Sequence, residues 1–268
     1  MNRLLVGVLA LWSGAVALAG VPLNNLEGVG GVAFNPLAYL AGNGASDPNT
    51  KGPLGLPQFG GWYVHLGDVS IDWTALGIAE TLFDRVEVSY GREIIGWSEH
   101  KSITKNNFGL KVLALPEGDV LPAVSVGGVW KYTTFDVPSG ADDSGLDIYG
   151  VATKLIKAPL PRPILLSAGA ISTKGRTLGV LGFDDDRDTV FFANADVLPL
   201  DNVALGYEFR QGASFDDFKN ANYWNLHAAW FANKNLTLVA AYVNTGDEKS
   251  TEKVGLGNGV VFSVQYGF

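Results

Sequence analysis

Residues 260–268 read VVFSVQYGF, with a large apolar side chain at every second position. A period of two is the pattern of a β-strand, because successive side chains of a strand point to opposite faces. Five apolar side chains would share one face: Val260, Phe262, Val264, Tyr266 and Phe268. The stretch therefore predicts a strand with an apolar environment on that side and a polar one on the side of Ser263 and Gln265.

Residues 1–19 have the pattern of a secretory signal peptide. A basic residue is followed by an uncharged apolar run over residues 4–16 and then by Ala-Leu-Ala, an A-x-A cleavage site. The run is too short for a transmembrane helix, which needs about 20 apolar residues. We expect residues 1–19 to be removed on export, which leaves an N-terminal stretch over residues 20–58 and a domain over residues 59–268.

The composition argues against several classes of function. The net charge is −8 at pH 7, so the chain is a poor candidate for binding nucleic acid. Cysteine is absent, which excludes disulfides and thiolate metal sites. Although 47% of the residues are hydrophobic, no apolar run after residue 19 approaches the length of a membrane helix. The 34 glycines, 7 tryptophans and 9 tyrosines favour strands and turns.

From residue 59 onward, the sequence repeats strands of about ten residues that are joined alternately by short turns and long polar loops. This alternation puts the short turns on one rim and the long loops on the other, as in an up-and-down meander rather than a Greek-key sandwich. We predict about twelve strands, within a range of about 10 to 14. The predicted strands are 59–66, 69–79, 85–96, 107–115, 120–132, 146–157, 163–173, 188–198, 203–211, 222–231, 235–244 and 258–268.

Alternating strands suit either a soluble barrel with apolar side chains inside or a membrane barrel with apolar side chains outside. Aromatic residues gather near the ends of the apolar faces, as they do at the interfaces of a bilayer. The opposite faces carry many Gly, Ala, Ser and Thr residues, which would pack poorly as a soluble core. The sequence therefore predicts an all-β fold, a transmembrane antiparallel up-and-down β-barrel, closed because an open edge would leave unpaired amides in hydrocarbon.

The stretch at residues 260–268 resembles the C-terminal signature of Gram-negative outer-membrane barrels, which ends in Phe and has apolar residues at alternate positions. The resemblance implies a place in the outer membrane, surrounded by outer-membrane lipid and lipopolysaccharide, after insertion by the barrel-insertion machinery. PLNNLEGVGGVAFNPLAYLAG at residues 22–42 and WYVHLGDVSIDWTALGIAETLFDRVEVSYG at residues 62–91 resemble an uncharacterised proteobacterial family of exported proteins. That family carries no catalytic motif that could be transferred.

The alternation also predicts which ionisable and polar side chains line the lumen. They are Asp72, Glu87, Glu93, Lys111, Lys131, Lys154, Asp196, Glu208, Arg210, Asn225 and His227. Three successive strands carry the lysines and other strands carry the acids, so an open pore would have a transverse field that selects ions. In a filled barrel, the same charges would pair with one another. Barrels of about eight strands are filled and those of about 16–18 strands hold aqueous channels, so about twelve is intermediate.

These features predict a porin-like channel for passive or semi-selective passage of small polar solutes. The alternatives are a non-conducting structural or partner-docking barrel and a barrel lipid hydrolase; a transporter of hydrophobic compounds is disfavoured by the polar lumen. The only histidines are His65, His100 and His227, and no G-x-S-x-G motif occurs, so we expect no enzyme activity. No cofactor or metal site follows from the sequence. Residues 20–58 are either a periplasmic lead-in or a lumen plug, and a plug would lower passive conduction.

Overall fold

The computed structural model describes residues 21–42, 54–97, 102–134, 141–157 and 159–268. The predicted signal peptide and His100 lie outside these described residues. Twelve β-strands occur in the described ranges, as the sequence predicted. They are β1 Gln58–Leu66, β2 Ile71–Leu82, β3 Val86–Trp97, β4 Ile103–Leu115, β5 Ala123–Thr134, β6 Ser144–Ile156, β7 Ile164–Gly175, β8 Phe183–Leu200, β9 Val203–Arg210, β10 Tyr223–Phe231, β11 Leu236–Asn244 and β12 Asn258–Gly267.

The strands form a closed antiparallel barrel. Each strand pairs with the next one in sequence, and β1 pairs with β12 from Gln58↔Gly267 to Leu66↔Gly259. Closure gives every strand two hydrogen-bonded neighbours and leaves no exposed edge. The predicted fold class is confirmed. Among the residues that the structure describes, no helix is long and apolar enough to cross a bilayer.

The outer face of the barrel is apolar and rich in aromatic side chains. The five alternate residues of the opening stretch all point outward and are 42–59% exposed: Val260, Phe262, Val264, Tyr266 and Phe268. Neighbouring strands join their aromatic rings into chains, such as Tyr90–Phe108–Trp130 with centroid separations of 5.1 and 5.5 Å. This surface meets the requirement of a barrel wall that faces hydrocarbon.

Two predicted loops are shorter than the sequence suggested. Strand β4 begins at Ile103 rather than at residue 107, and β8 begins at Phe183 rather than at residue 188. Both extensions carry charged or amide side chains, which made them look like loops. Alternation continues through residues 103–107, because Ile103, Lys105 and Asn107 are buried inside the barrel.

Residues 21–42, here called the luminal segment, have no regular secondary structure and are mostly buried against inward-facing side chains of the wall. A tight turn forms near its start, where the Asn25 side-chain oxygen accepts hydrogen bonds from the backbone N–H groups of Glu27 and Val29 at 3.0 Å. A second segment, Arg176–Gly179 after β7, turns inward from the long-loop rim and is largely buried. There, Thr133 Oγ1 donates to the Gly179 carbonyl oxygen at 2.6 Å. The interior is therefore occupied from both ends of the barrel.

The luminal segment packs against the inner face of the wall at a point where two glycines, Gly77 and Gly91, leave room for its backbone. A Cβ atom on Gly91 would lie 2.3 Å from the Glu27 carbonyl oxygen, and one on Gly77 would lie 2.7 Å from Gly28 Cα. Gly28 itself has a φ of +87°, a left-handed conformation that disfavours other residues. Backbone here packs directly on backbone, so a side chain on either wall glycine would push the segment away.

We expect Gly91→Val to displace the luminal segment and to lower the free energy of unfolding by about 1–3 kcal/mol, the usual cost of overpacking. Thermal unfolding of the purified protein in detergent measures the change. Gly150→Val is the matched control, because a Cβ atom at Gly150 meets nothing within 4 Å. Equal stability of the two variants would contradict the close approach at Gly91.

Candidate functional site: the charged lumen

A carboxylate of the luminal segment joins two lysines of the wall. Glu27 Oε1 lies 3.0 Å from Lys105 Nζ on β4 and also pairs with Lys131 Nζ on β5. Each lysine has a second carboxylate partner on the wall, Glu93 at 3.0 Å from Lys105 and Asp147 at 2.7 Å from Lys131. All five side chains are buried, so the cluster is a chain of ion pairs that runs through Glu27.

A second cluster binds the backbone of the luminal segment through both signs of charge. Glu87 accepts hydrogen bonds from the backbone N–H groups of Gly30 at 2.9 Å and Ala41 at 2.7 Å. Lys111, whose Nζ lies 2.8 Å from Glu87 Oε2, donates to the carbonyl oxygens of Gly30 and Tyr39 at 2.9 and 2.8 Å. The pair therefore holds donors and acceptors of the same stretch of backbone.

A third contact lies on the opposite side of the lumen. Glu208 on β9 accepts hydrogen bonds from the backbone N–H groups of Ala33 and Phe34 at 3.2 Å and Asn35 at 2.8 Å. Asn225 on β10 donates its side-chain amide to the same carboxylate. Three consecutive N–H groups converge on one carboxylate, which offsets the cost of burying its charge.

His227 connects Asn225, which donates to Glu208, to a further wall residue, Asp196. His227 Nε2 lies 2.6 Å from Asp196 Oδ1, and His227 Nδ1 lies 2.8 Å from Asn225 Oδ1. Both ring nitrogens have partners within the wall, so the imidazole is held in place. Among the described residues, no group of three or more His, Cys, Asp or Glu side chains has the spacing of a metal site.

Nine of the eleven residues predicted to line the lumen are buried on the inner face: Glu87, Glu93, Lys111, Lys131, Asp196, Glu208, Arg210, Asn225 and His227. They gather into the clusters just described and contact the luminal segment or one another. The lysines described inside the barrel lie on β4 and β5 only, and acids of the flanking strands β3 and β6 pair with them directly, so no basic wall faces separate acidic walls across an open lumen.

The alternation of the sequence predicted that Asp72 lines the lumen, but Asp72 lies on the outer face. Its neighbours Ile71 and Trp73 are the buried ones, and the Asp72 carboxylate instead accepts a hydrogen bond from Tyr63 OH at 2.7 Å and lies 2.9 Å from His65 Nδ1. The physical reason is that the interior is apolar in this region. Hydrophobic side chains therefore point inward here and the polar ones outward, so His65 also lies outside.

Lys154 was misplaced in the same way. Val151, Thr153 and Leu155 are the buried residues at this end of β6, which puts Lys154 on the outer side near the short-turn rim. There its Nζ pairs with Glu117 at 3.2 Å. A lysine next to a short turn can reach rim carboxylates and carbonyls from the outer face, so its charge did not require a place inside.

Three residues of the ion-pair cluster around Glu27 were not predicted from the sequence: Glu27 itself, Lys105 and Asp147. Lys105 lies in a stretch that was predicted to be a loop. Asp147 and Lys154 lie on opposite faces of β6, so the prediction that Lys154 points inward put Asp147 outside. Glu27 is the only charged residue of the luminal segment. A lone acid in an otherwise uncharged stretch that precedes the barrel was the signal that could have identified it.

The surrounding charges keep Glu27 ionised. Burial alone would raise the pKa of its carboxyl group, but Lys131, Lys105 and Arg210 lower that pKa from a usual value near 4.5 to about 2. Glu27 belongs to the luminal segment rather than to a strand, so its charge depends on where that segment lies.

Part of the lumen is apolar. Leu26 and Phe34 of the luminal segment pack in a buried cluster with Trp62, Trp73 and Tyr223 of the wall. The cluster leaves only a small cavity of about 50 Å³. The expectation of a polar lumen therefore holds only in part, because the luminal segment contacts charged groups on several strands and also an apolar cluster.

A closed twelve-strand antiparallel barrel with an apolar exterior and charged side chains inside belongs to the class of transmembrane up-and-down β-barrels. The chain belongs to the family described as protein of unknown function DUF3034, whose model matches residues 20–265. This confirms the resemblance to an uncharacterised barrel family. No curated protein matches the sequence.

Two solved porin structures are similar to this chain. A KdgM porin has a TM-score of 0.52 and 10% sequence identity, covering 79% of this chain and 99% of its own. A NanC porin has a TM-score of 0.50 and 10% identity, covering 79% of this chain and 98% of its own. At this identity, the similarity establishes the shared fold.

We expect Glu27→Gln to lower the free energy of unfolding at neutral pH by up to about 3–5 kcal/mol, because it removes the carboxylate that Lys105 and Lys131 share in a buried site. A carboxyl group with a lowered folded pKa stabilises the fold above its unfolded pKa, and that stability is lost as the pH falls. For Glu27 the loss falls between about pH 4.5 and 2.

Denaturant unfolding in detergent across this pH range measures both effects. Glu248→Gln in the loop between β11 and β12 is the control for the same chemical change, since among the described residues Glu248 has a single ion pair, at 3.6 Å from the exposed Lys249. If Glu27→Gln keeps the acid dependence of the original protein in this window, another carboxyl group is responsible for it.

Proposed function

We propose that this protein is a porin-like channel of the Gram-negative outer membrane, closed in the described conformation by the luminal segment. The porin fold and the apolar exterior support the location. The named porins with this fold support passage of solutes as the class of function. Residues 1–19 then act as the export signal, and the barrel has no enzymatic role.

The observation that carries the proposal is the polar attachment of the luminal segment to the wall. Glu27, Glu87, Lys111 and Glu208 hold it through ion pairs and backbone hydrogen bonds. Buried ion pairs stabilise a fold less well than apolar side chains of similar volume would. A barrel filled only for stability has no need of them, whereas a wall that water sometimes reaches must carry groups that water can solvate.

The charges of the wall suggest the solutes. When the luminal segment is displaced, the exposed inner face carries Lys105, Lys111, Lys131 and Arg210 among Glu87, Glu93, Asp147 and Glu208. Such a mixture of signs suits small polar solutes and gives little net preference for cations or anions. Small polar solutes are therefore the proposed cargo.

A non-conducting barrel is the second candidate. It is favoured by the occupation of the lumen from both ends, which includes the bond from Lys105 Nζ to the Leu178 carbonyl oxygen at 2.9 Å. In that case, the long loops would serve as docking surfaces and the luminal segment would be a permanent part of the core.

Cross-linking the luminal segment to the wall distinguishes the two functions. Ser125 Oγ on β5 donates to the Ala38 carbonyl oxygen at 2.6 Å, and the natural sequence contains no cysteine. We expect Ala38→Cys with Ser125→Cys to conduct in planar bilayers while reduced, and to lose its conductance steps after treatment with a short bis-methanethiosulfonate cross-linker, which joins the two thiols through disulfides that a reductant cleaves. Reduction should restore the steps.

The matched control is Ala168→Cys with Ala193→Cys, which lie directly opposite each other on β7 and β8 and face outward. Cross-linking this pair should leave conductance unchanged. Absence of steps in the original protein and in both reduced variants would establish the non-conducting barrel instead. Steps that persist in the cross-linked Ala38–Ser125 variant would show that the conducting path does not depend on movement of the luminal segment.

A further inference from the structure

The carboxylate of Glu27 faces three cations of the wall. Its Oε1 atom pairs with Lys105 Nζ on β4 and Lys131 Nζ on β5. Arg210 at the end of β9 also lowers the pKa of the Glu27 carboxyl group. All three cations are buried and belong to strands of the wall, whereas Glu27 belongs to the luminal segment. The position of this carboxylate among the three cations is here called the carboxylate site.

The wall carboxylates around this site do not balance its cations. Glu93 Oε1 lies 3.0 Å from Lys105 Nζ. Asp147 Oδ2 lies 2.7 Å from Lys131 Nζ and 3.8 Å from a guanidinium nitrogen of Arg210. With both carboxylates ionised, the wall contributes three positive and two negative charges, and the luminal segment supplies the third negative charge. Because an unpaired buried charge is costly, one monoanion would complete the site when the luminal segment leaves it.

The carboxylate site lies toward the long-loop end of the lumen, where a strained segment covers it. Lys105 is two residues from the start of β4, and its Nζ donates to the Leu178 carbonyl oxygen at 2.9 Å. Thr177 and Leu178 have φ values of +50° and +60°, which residues other than glycine rarely adopt. Strained backbone of this kind persists only while its surroundings hold it, and it is typical of switch regions and ligand sites. The cover is therefore a part of the lumen that is suited to movement.

We propose that the carboxylate site binds a small solute that carries one carboxylate, and that Glu27 takes the place of this solute in the closed conformation. The inference rests on the proposed function, because a solute reaches the site only when the luminal segment moves away. A solute carboxylate would make the same contacts to Lys105 and Lys131. It would therefore compete with Glu27 and favour the conformation in which the luminal segment is displaced.

Removal of Glu27 should leave a site that a free carboxylate fills. We expect sodium acetate, at about ten times its Kd and neutral pH, to raise the thermal unfolding midpoint of Glu27→Ala in detergent by about 3 °C or more. Sodium chloride at the same ionic strength is the reference, and acetamide is the neutral analogue of acetate. Neither should produce the shift. The original protein should respond much less to acetate, because Glu27 already fills the site.

Glu248→Ala is the matched control for the loss of a carboxylate. Glu248 lies between β11 and β12 and pairs with the exposed Lys249 at 3.6 Å. One exposed lysine does not make a buried anion site, so acetate and chloride should act alike on this variant. A heat-dependent shift on gel electrophoresis checks that each variant forms the closed barrel.

A second measurement keeps Glu27 in place and applies even if Glu27→Ala does not fold. Ala38 is fully buried in the luminal segment, so Ala38→Cys gives a single thiol whose labelling by N-ethylmaleimide reports displacement of the segment. Acetate that binds only the vacated site increases the displaced population, and the labelling rate should rise about tenfold at about nine times Kd. Chloride and acetamide should leave the rate unchanged.

Two results would overturn the proposal. A folded Glu27→Ala variant that acetate does not stabilise, or a labelling rate that acetate does not raise, would show that a free carboxylate does not take the place of Glu27. Equal effects of chloride and acetate would show a general anion site. Neither measurement uses conductance. Acetate binding in a barrel without conductance steps would therefore reject the proposed channel while it supports the carboxylate site.

Discussion

The ion pairs of Glu27 with Lys105 and Lys131 are the contacts on which the rest of the interior depends. The alternation of residues along each strand of the closed wall places charged side chains inside the lumen. While the luminal segment fills the lumen, too little space is left for water to hydrate these charges. Those charges must find partners, because an unpaired buried charge costs several kcal/mol. The strands supply Glu93 and Asp147, and the luminal segment supplies the shared carboxylate between the two lysines.

The same requirement explains why acids and bases interleave on the wall. A segment without regular secondary structure has backbone donors and acceptors that no helix or sheet satisfies, and buried backbone groups need partners. Glu87 and Glu208 accept from its N–H groups, while Lys111 donates to its carbonyl oxygens. The positions of the wall charges are therefore fixed by the backbone of the luminal segment as well as by charge pairing.

The outer and inner faces of the barrel differ in how well the sequence predicts the direction of their side chains. Hydrocarbon imposes one uniform requirement on the outer face, so the strand number, the closure and the outward residues of β12 followed from periodicity. The inner face meets charge near Lys111 and apolar side chains near Trp62, so no single rule of polarity predicts it. Asp72 and Lys154 were misplaced for this reason. Lys105 was missed because a polar strand end resembles a loop.

The luminal segment contacts both charged and apolar parts of the wall, and in the proposed channel this asymmetry would bear on where a passage forms. Phe34 packs in the apolar cluster that contains Trp62 and Trp73, whereas Glu27 faces the lysines of β4 and β5. Water entering on the apolar side would expose hydrophobic surface at about 25 cal/mol per Å². Water entering on the charged side replaces ion pairs by hydration, which is nearly balanced in free energy. In the proposed channel, a passage between the luminal segment and the charged parts of the wall would therefore cost least.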